Sequence, residues 1–218
     1  MTRRAVWQAL HSPLAVSVVA STLVWCSISA LHRTGHLQPL ELTAYDWSTR
    51  LRPTVLGEDA RFMLIGITEH DIRTQGQWPL TDATLAAVLE RLASHRPRAI
   101  GLDLYRDIPV PPGREALEAV LTRHQCIITV MKTGEGEALD VPPPPILAQT
   151  EQVGFNDVPV DQDGMVRRGL LFADNGGMPA YAFALRLALC YLQAEGIIPR
   201  PDVTNPEHLR LGATTIRP

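Results

Sequence analysis

PLAVSVVASTLVWCSISAL, residues 13–31, runs nineteen positions without a charge, between Arg3/Arg4 and Arg33. At ~1.5 Å of rise per residue such a helix spans roughly 28 Å, close to the ~30 Å hydrocarbon core of a bilayer. Leu14, Val16, Val18, Val19, Leu23, Val24, Ile28 and Leu31 each favour insertion by about 0.3–0.6 kcal/mol, together roughly 2–5 kcal/mol. Ser17, Ser21, Ser27 and Ser29 subtract from that, although serine hydroxyls bond back to carbonyls one turn earlier. The stretch reads as a transmembrane helix. A secretory signal shares the basic start, but its apolar region runs only ~7–15 residues, and Ile28-Ser29-Ala30 is a weak cleavage site. Trp25 is too bulky for the position before a lipoprotein Cys26. Arg3 and Arg4 precede the helix, while only Arg33 follows closely before Glu41 and Asp46, so residues 1–12 fall in the cytoplasm and residues 40–218 outside it.

Composition narrows what the outer part does. A net charge of −3 and two arginine pairs, Arg3/Arg4 and Arg167/Arg168, leave no basic footprint for nucleic acid. Three cysteines, Cys26, Cys126 and Cys190, make no framework; buried free thiols are expected, with a Cys126–Cys190 disulfide as the alternative. No metal-ligand spacing occurs, and no G-x-S-x-G, HExxH or phosphate-cradling loop. Neither a metal nor a cofactor is expected.

After the anchor, Leu40, Ala44, Trp47 and Leu51 recur at helical spacing, with Asp46 and Arg50 one turn apart, until Arg52-Pro53 ends the pattern. A strand–helix rhythm follows. Residues 61–67 (RFMLIGI), 98–104 (RAIGLDL) and 126–131 (CIITVM) read as strands buried on both faces, and 81–95 and 115–124 as amphipathic helices. Thr81 is a candidate cap for the first helix. That order predicts an α/β domain with a largely parallel sheet.

The second half adds antiparallel pieces. A loop covers 133–141, a short turn or helix begins at the prolines 142–145, and 153–156 is a brief strand. Asp161-x-Asp163-Gly164 opens like a calcium loop but lacks the downstream glutamate, so it reads as a turn. Residues 166–173 are expected as a strand, Asp174-Asn175-Gly176-Gly177 as a turn, and 178–195 as the domain's central buried helix. Two short strands, 208–211 and 214–217, flank Gly212 and break off at Pro218, as in the N-terminal piece of a longer protein.

The order of these features resembles the type-2 CHASE domain, a sensory module placed outside the cytoplasm ahead of bacterial cyclases, histidine kinases, diguanylate cyclases and Ser/Thr kinases. The matching pieces are Glu41-x-x-x-Tyr45-Asp46-x-x-x-Arg50-x-Arg52-Pro53, strand 62–67 followed by Thr68-Glu69-x-Asp71, and Gln77-Trp78-Pro79. Next come residues 98–103, Asp161-x-Asp163-Gly164-x-Val166-Arg167-Arg168, and the helix after Met178-Pro179. Thr68 stands where the family has Asp, and Leu80-Thr81 where it has Trp or Tyr followed by Arg. The resemblance implies a periplasmic sensor on a bacterial inner-membrane receptor, usually dimeric, relaying a small-molecule or environmental signal to a cytoplasmic cyclase or kinase.

In a parallel α/β sheet, ligands sit beyond the carboxyl ends of the strands. Glu69, Asp71, Trp78, Asp103, Asp163 and Arg167 are therefore the candidate ligand residues, set against the alternative that Asp103 and Asp71 cap neighbouring helices or pair with Arg106, Arg167 or Arg168. Tyr45, Asp46, Trp47 and Arg50 form the candidate relay helix, on which a signal would favour one of two dockings of the domain. A membrane-anchored periplasmic hydrolase, holding a metal with Glu69, Asp71 and Asp103, is the enzymatic alternative. A structural or dimerisation module is the third reading.

Overall fold

The computed structural model describes residues 13–52, 57, 59–133, 140–175, 178–205 and 208–217. The tail with Arg3 and Arg4, Pro53, most of the loop after Thr133, Gly176-Gly177 and Pro218 lie outside the described residues. Contacts divide the chain into two units, Met1–Ile65 and Gly66–Pro218.

In the first unit, α1 (Pro13–Arg33) buries none of its residues, and it is the one described helix long and apolar enough to cross a membrane. Ser17 and Thr22 donate their hydroxyls to the carbonyls of Pro13 and Val18, each at 2.8 Å, which removes polar hydrogens from the helix surface. Thr34 bonds back to the carbonyls of Ala30 and Leu31, and Gly35 takes a positive φ, so the chain turns into α2 (Gln38–Arg50). Across that turn His32 Nδ1 lies 2.8 Å from Glu41 Oε1. Tyr45, Asp46, Trp47 and Arg50 all lie on α2, with Trp47 and Tyr45 exposed.

Residues 61–67 correct the expectation of a first strand. They pair with no strand among the described residues, and Phe62, Met63 and Leu64 are 75, 85 and 98 % exposed. Apolar composition reports how much a segment gains from burial, but a strand also needs a ladder partner.

The second unit opens with α3 (Glu69–Gln75) and a cis Trp78–Pro79 bond, followed by α4 (Asp82–Ser94). Thr81 caps α4 by accepting from the Thr84 amide at 3.2 Å. Next come β1 (Ile100–Leu102), α5 (Arg114–Arg123), β2 (Ile127–Met131), a 3₁₀ turn at Pro145–Leu147, and β3 (Val153–Phe155). The three strands run parallel in the order β1-β2-β3, with Ile100 opposite Ile127 and Thr129 opposite Val153.

Period-two alternation then sorts the strand residues. Ile100, Leu102, Ile127 and Val153 join Leu85 and Leu89 of α4 and Leu117 and Leu121 of α5 in one buried cluster. Gly101 and Gly154 face α6 (Phe183–Gln193) instead. A Cβ on Gly154 would come within 2.5 Å of Phe183 Cα, and one on Gly101 within 2.7 Å of Phe183 Cζ. Both glycines are spacers that let α6 approach the sheet.

The remaining strands are antiparallel. Hairpin β4 (Phe172–Asn175) and β5 (Met178–Tyr181) revises two expectations, because β4 starts only at Phe172 and residues 178–181 return as a strand. Residues 178–181 pair back on 172–175, and α6 begins once Ala182 has bridged to Phe155. α6 is also less buried than expected: Leu185 is its one buried residue among those described. Arg186 is mostly shielded on α6, donating to the Val153 carbonyl at 3.2 Å and lying 4.3 Å from the Tyr181 ring centroid. A last sheet has the order β6 (Pro199–Pro201), β7 (Leu209–Leu211), β8 (Thr214–Ile216). β6 was illegible because its two prolines argue against a strand, and they are tolerated here on an edge. Cys26, Cys126 and Cys190 are free thiols.

Candidate functional site

Beyond the carboxyl ends of the parallel strands the chain delivers Asp103 after β1, Thr133 after β2, and Asn156 and Asp157 after β3. Asn156 links them: its amide nitrogen donates to Asp103 Oδ1 at 3.1 Å, and its carbonyl oxygen accepts from the Tyr105 hydroxyl at 2.8 Å. The two bonds require opposite ends of the amide, which fixes its orientation. Thr133 donates its backbone amide and its hydroxyl to Asp157 Oδ2, at 2.7 and 3.1 Å. Asp103 thus keeps a solvent-facing carboxylate held by a neutral donor, a group with acceptor capacity to spare.

The other candidate residues make local bonds of their own. Asp71 closes a capping box on α3, accepting from the Thr68 amide at 2.8 Å and hydroxyl at 2.6 Å, and these bonds hold its carboxyl below the usual range. Thr68 is the reciprocal cap, accepting from the Asp71 amide at 3.3 Å. Glu69 sits exposed in the first turn of α3, where its charge suits the positive helix end. Trp78 is half exposed. Among the described residues no hydrogen bond or ion pair joins Glu69, Asp71 or Trp78 to Asp103.

Asp163 and Arg167 belong to the turn at 160–168, closed by the Val160–Val166 bridge and a positive φ at Gly164. The Arg167 side chain, 7 % exposed, grips both acids, reaching Asp161 at 2.9 Å and Asp163 at 2.9 and 2.6 Å, while Arg168 bonds Asp161 at 2.5 Å. The Arg167 bonds lower the Asp163 carboxyl from its usual 3.8 to about 2. The same cause, with Arg168 adding to it, lowers Asp161. These charges are spent on one another.

A further ion pair was not foreseen. Arg106, one of the alternative partners for Asp103 or Asp71, turns inward to Asp82 instead, with side chains 5 and 2 % exposed and Nε 3.6 Å from Oδ1. Its Nη2 donates to the Leu80 carbonyl at 2.7 Å, and Asp82 Oδ2 accepts from the Val110 amide at 3.1 Å, so the pair ties the loop leaving β1 to the start of α4. Burial pulls the Arg106 guanidinium below its usual value against the attraction of Asp82. Asp82 at the first position of α4 carried no signal beyond a favourable helix-end charge.

Residues 20–217 match a family model described as the CHASE2 domain. The chain belongs to that family. No curated protein and no solved structure matches it. CHASE2 domains are extracytoplasmic sensory modules, in keeping with the apolar α1 at the start of the match. Among the described residues of this CHASE2 domain no three His, Cys, Asp or Glu side chains gather to hold a metal ion.

Proposed function

We propose that this CHASE2 chain is the signal-input part of a bacterial transmembrane receptor. In this reading α1 crosses the inner membrane with its N-terminus in the cytoplasm, and the domain beginning near residue 40 stands in the periplasm. A cyclase or kinase output, beyond this chain, receives the signal. The observation that carries the reading is the family match over residues 20–217, which takes in both the second half of α1 and the α/β body. Fusing a reporter that is active only in the periplasm after residue 60 tests it: activity is expected there, and activity restricted to a cytoplasm-dependent reporter overturns it.

Signal enters, in this reading, at the carboxyl ends of the parallel strands, where Asp103 accepts a hydrogen bond from Asn156 and still has lone pairs for a ligand. Glu69, Asp71 and Trp78, together with Asp163 and Arg167, remain the candidate wall of that crevice. The relay is α2, whose Tyr45, Asp46, Trp47 and Arg50 follow α1 directly and whose Glu41 is paired with His32. A ligand biases the receptor only by its differential affinity for the two signalling states. A flexible glycine insert between Leu31 and Leu40 should uncouple input from output in the full-length receptor, and unchanged signalling would remove the rigid relay. A homodimer fits this arrangement, and in-membrane cross-linking from Trp47 positions checks it.

A further inference from the structure

The sheet β6-β7-β8 carries a feature that the sensory reading does not use. Arg200 of β6 and Arg210 of β7 lie directly opposite each other in register, and both are exposed. Like charges placed opposite on an antiparallel pair destabilise the pairing. A cavity of about 360 Å³ lies at this place, lined by Ile197, Ile198, Pro201 and Val203 together with Arg200 and Arg210. That volume is in the range of small-molecule sites, typically ~300–1,000 Å³. The apolar lining is unusually open, with Ile198 58 % and Val203 86 % exposed.

The local charge balance points to the sign of the occupant. Asp202 accepts from the Thr204 amide at 2.9 Å, from the Thr215 hydroxyl at 3.0 Å and from the Asn205 amide at 3.3 Å, and these bonds, led by Thr204, hold its carboxyl below the usual range. The Arg210 charge adds to the same effect. One of the two guanidinium charges is thus partly answered inside the fold. Arg210 donates its Nε to the Gly212 carbonyl at 3.2 Å, and among the described residues neither Arg200 nor Arg210 forms an ion pair, so both guanidinium groups keep donors beside the apolar wall.

We propose that this cavity binds a monoanionic amphiphile, its carboxylate or phosphate head on Arg200 and Arg210 and its short apolar body against Ile197, Ile198 and Val203. A guanidinium fork matches either head by paired, charge-assisted hydrogen bonds. The head could come from a free organic acid or from an anionic lipid. This site is separate from the Asp103 cluster, and its test does not depend on the receptor reading.

Calorimetry on the full chain in phosphatidylcholine nanodiscs, with hexanoate as probe, is the experiment. Saturable binding is expected, with inorganic phosphate (head alone) and hexanamide (no charge) each binding much more weakly. Arg200→Gln and Arg210→Gln should each weaken hexanoate by about tenfold or more, the loss of one charge-assisted contact. Because each also relieves the cross-strand repulsion, both variants should raise the thermal midpoint rather than lower it. Val203→Asp, at a side chain almost fully in solvent, should abolish binding without altering the fold. Weaker apparent binding of hexanoate in discs containing phosphatidylglycerol assigns the site to a lipid head, and unchanged binding assigns it to a free acid. Absence of saturable binding, equal binding of hexanamide, or wild-type affinity in the Arg200 and Val203 variants overturns the proposal.

Discussion

Two sets of acids and arginines in this domain use the same residue types to opposite ends. Asp82 and Arg106 are sealed inside, yet their facing atoms stand 3.6 Å apart, and Asp82 Oδ1 and Arg106 Nε have no hydrogen-bond partner among the described residues. In the turn at 160–168, Asp161 and Asp163 receive short bonds from Arg167 and Arg168, and Asp163 and Arg168 reach solvent. The buried pair is electrostatically expensive and imperfectly repaid, so its role is to fix where the loop after β1 goes. The turn pair is close to saturated and shapes a surface loop. Asp103 is a third case, an acid held by an amide with no arginine bonded to it among the described residues.

The largest effect is expected from breaking the buried pair. Arg106→Ala leaves Asp82 charged and dry, and should cost about 3–5 kcal/mol in denaturant unfolding of the full chain. The double replacement Asp82→Asn with Arg106→Met should recover most of that loss, since it removes both buried charges while the amide oxygen can still accept from Val110. A double variant as unstable as the single one would mean that the two side chains anchor the loop through Leu80 and Val110 rather than through each other.

Packing comes next in size and separates the two spacer glycines. Gly154→Ala drives a methyl to 2.5 Å from backbone of Phe183, which cannot move without shifting α6. A loss of about 1–3 kcal/mol is expected, the usual range for overpacking. Gly101→Ala meets the Phe183 ring and the Leu187 side chain, at 2.7 and 2.9 Å, and these have rotamers to spare. It should cost less. Thermal unfolding of the two variants ranks them, and the reverse order would place the rigid contact at Leu187.

The distinction between side-chain pattern and tertiary partner also decides what could be read from the chain beforehand. The parallel core was legible because Leu85, Leu89, Leu117 and Leu121 repeat at helical spacing and 126–131 is apolar apart from Thr129. Thr81 as a cap and Asp163-Gly164 as a turn were legible because both act within a few residues. The Arg106–Asp82 pair was not legible, since nothing local shows whether a side chain at a strand exit turns inward or out. Residues 61–67 misled for a related reason: their composition matches a buried strand, while the pairing that would bury them is a property of other segments. Asn156, the hub of the Asp103 cluster, had no signature at all, because an amide gains meaning only from the neighbours that use both its ends.

The saturated turn gives a pH prediction with a definite sign. Asp163 titrates at about 2 in the fold against 3.8 ordinarily, so its contribution to stability is fully present above pH ~4 and is lost as pH falls toward 2. Arg167→Gln removes the main cause. The Asp163 carboxyl should then titrate back toward 3.8, as followed by its side-chain NMR resonance, and the acid limb of the stability curve should flatten. An unchanged titration would assign the depression to the Met165 amide, which bonds the same carboxylate at 3.2 Å.

Asp103 offers the smallest change in stability and the sharpest reading of function. In Asp103→Asn the side-chain oxygen can still accept from Asn156, so unfolding should shift by no more than about 0.5 kcal/mol, the range of a surface replacement. What disappears is the negative charge. Asn156→Leu does the converse, leaving Asp103 charged but releasing it and the Tyr105 hydroxyl, at a cost of about 1 kcal/mol. If the strand ends receive the signal through the carboxylate, the first variant blunts the response of the full-length receptor as severely as the second, although it barely touches the fold. A response that follows stability instead, spared by Asp103→Asn and lost with Asn156→Leu, would make the cluster a clasp between β1 and β3, and the entry point for the signal would have to lie elsewhere on the domain.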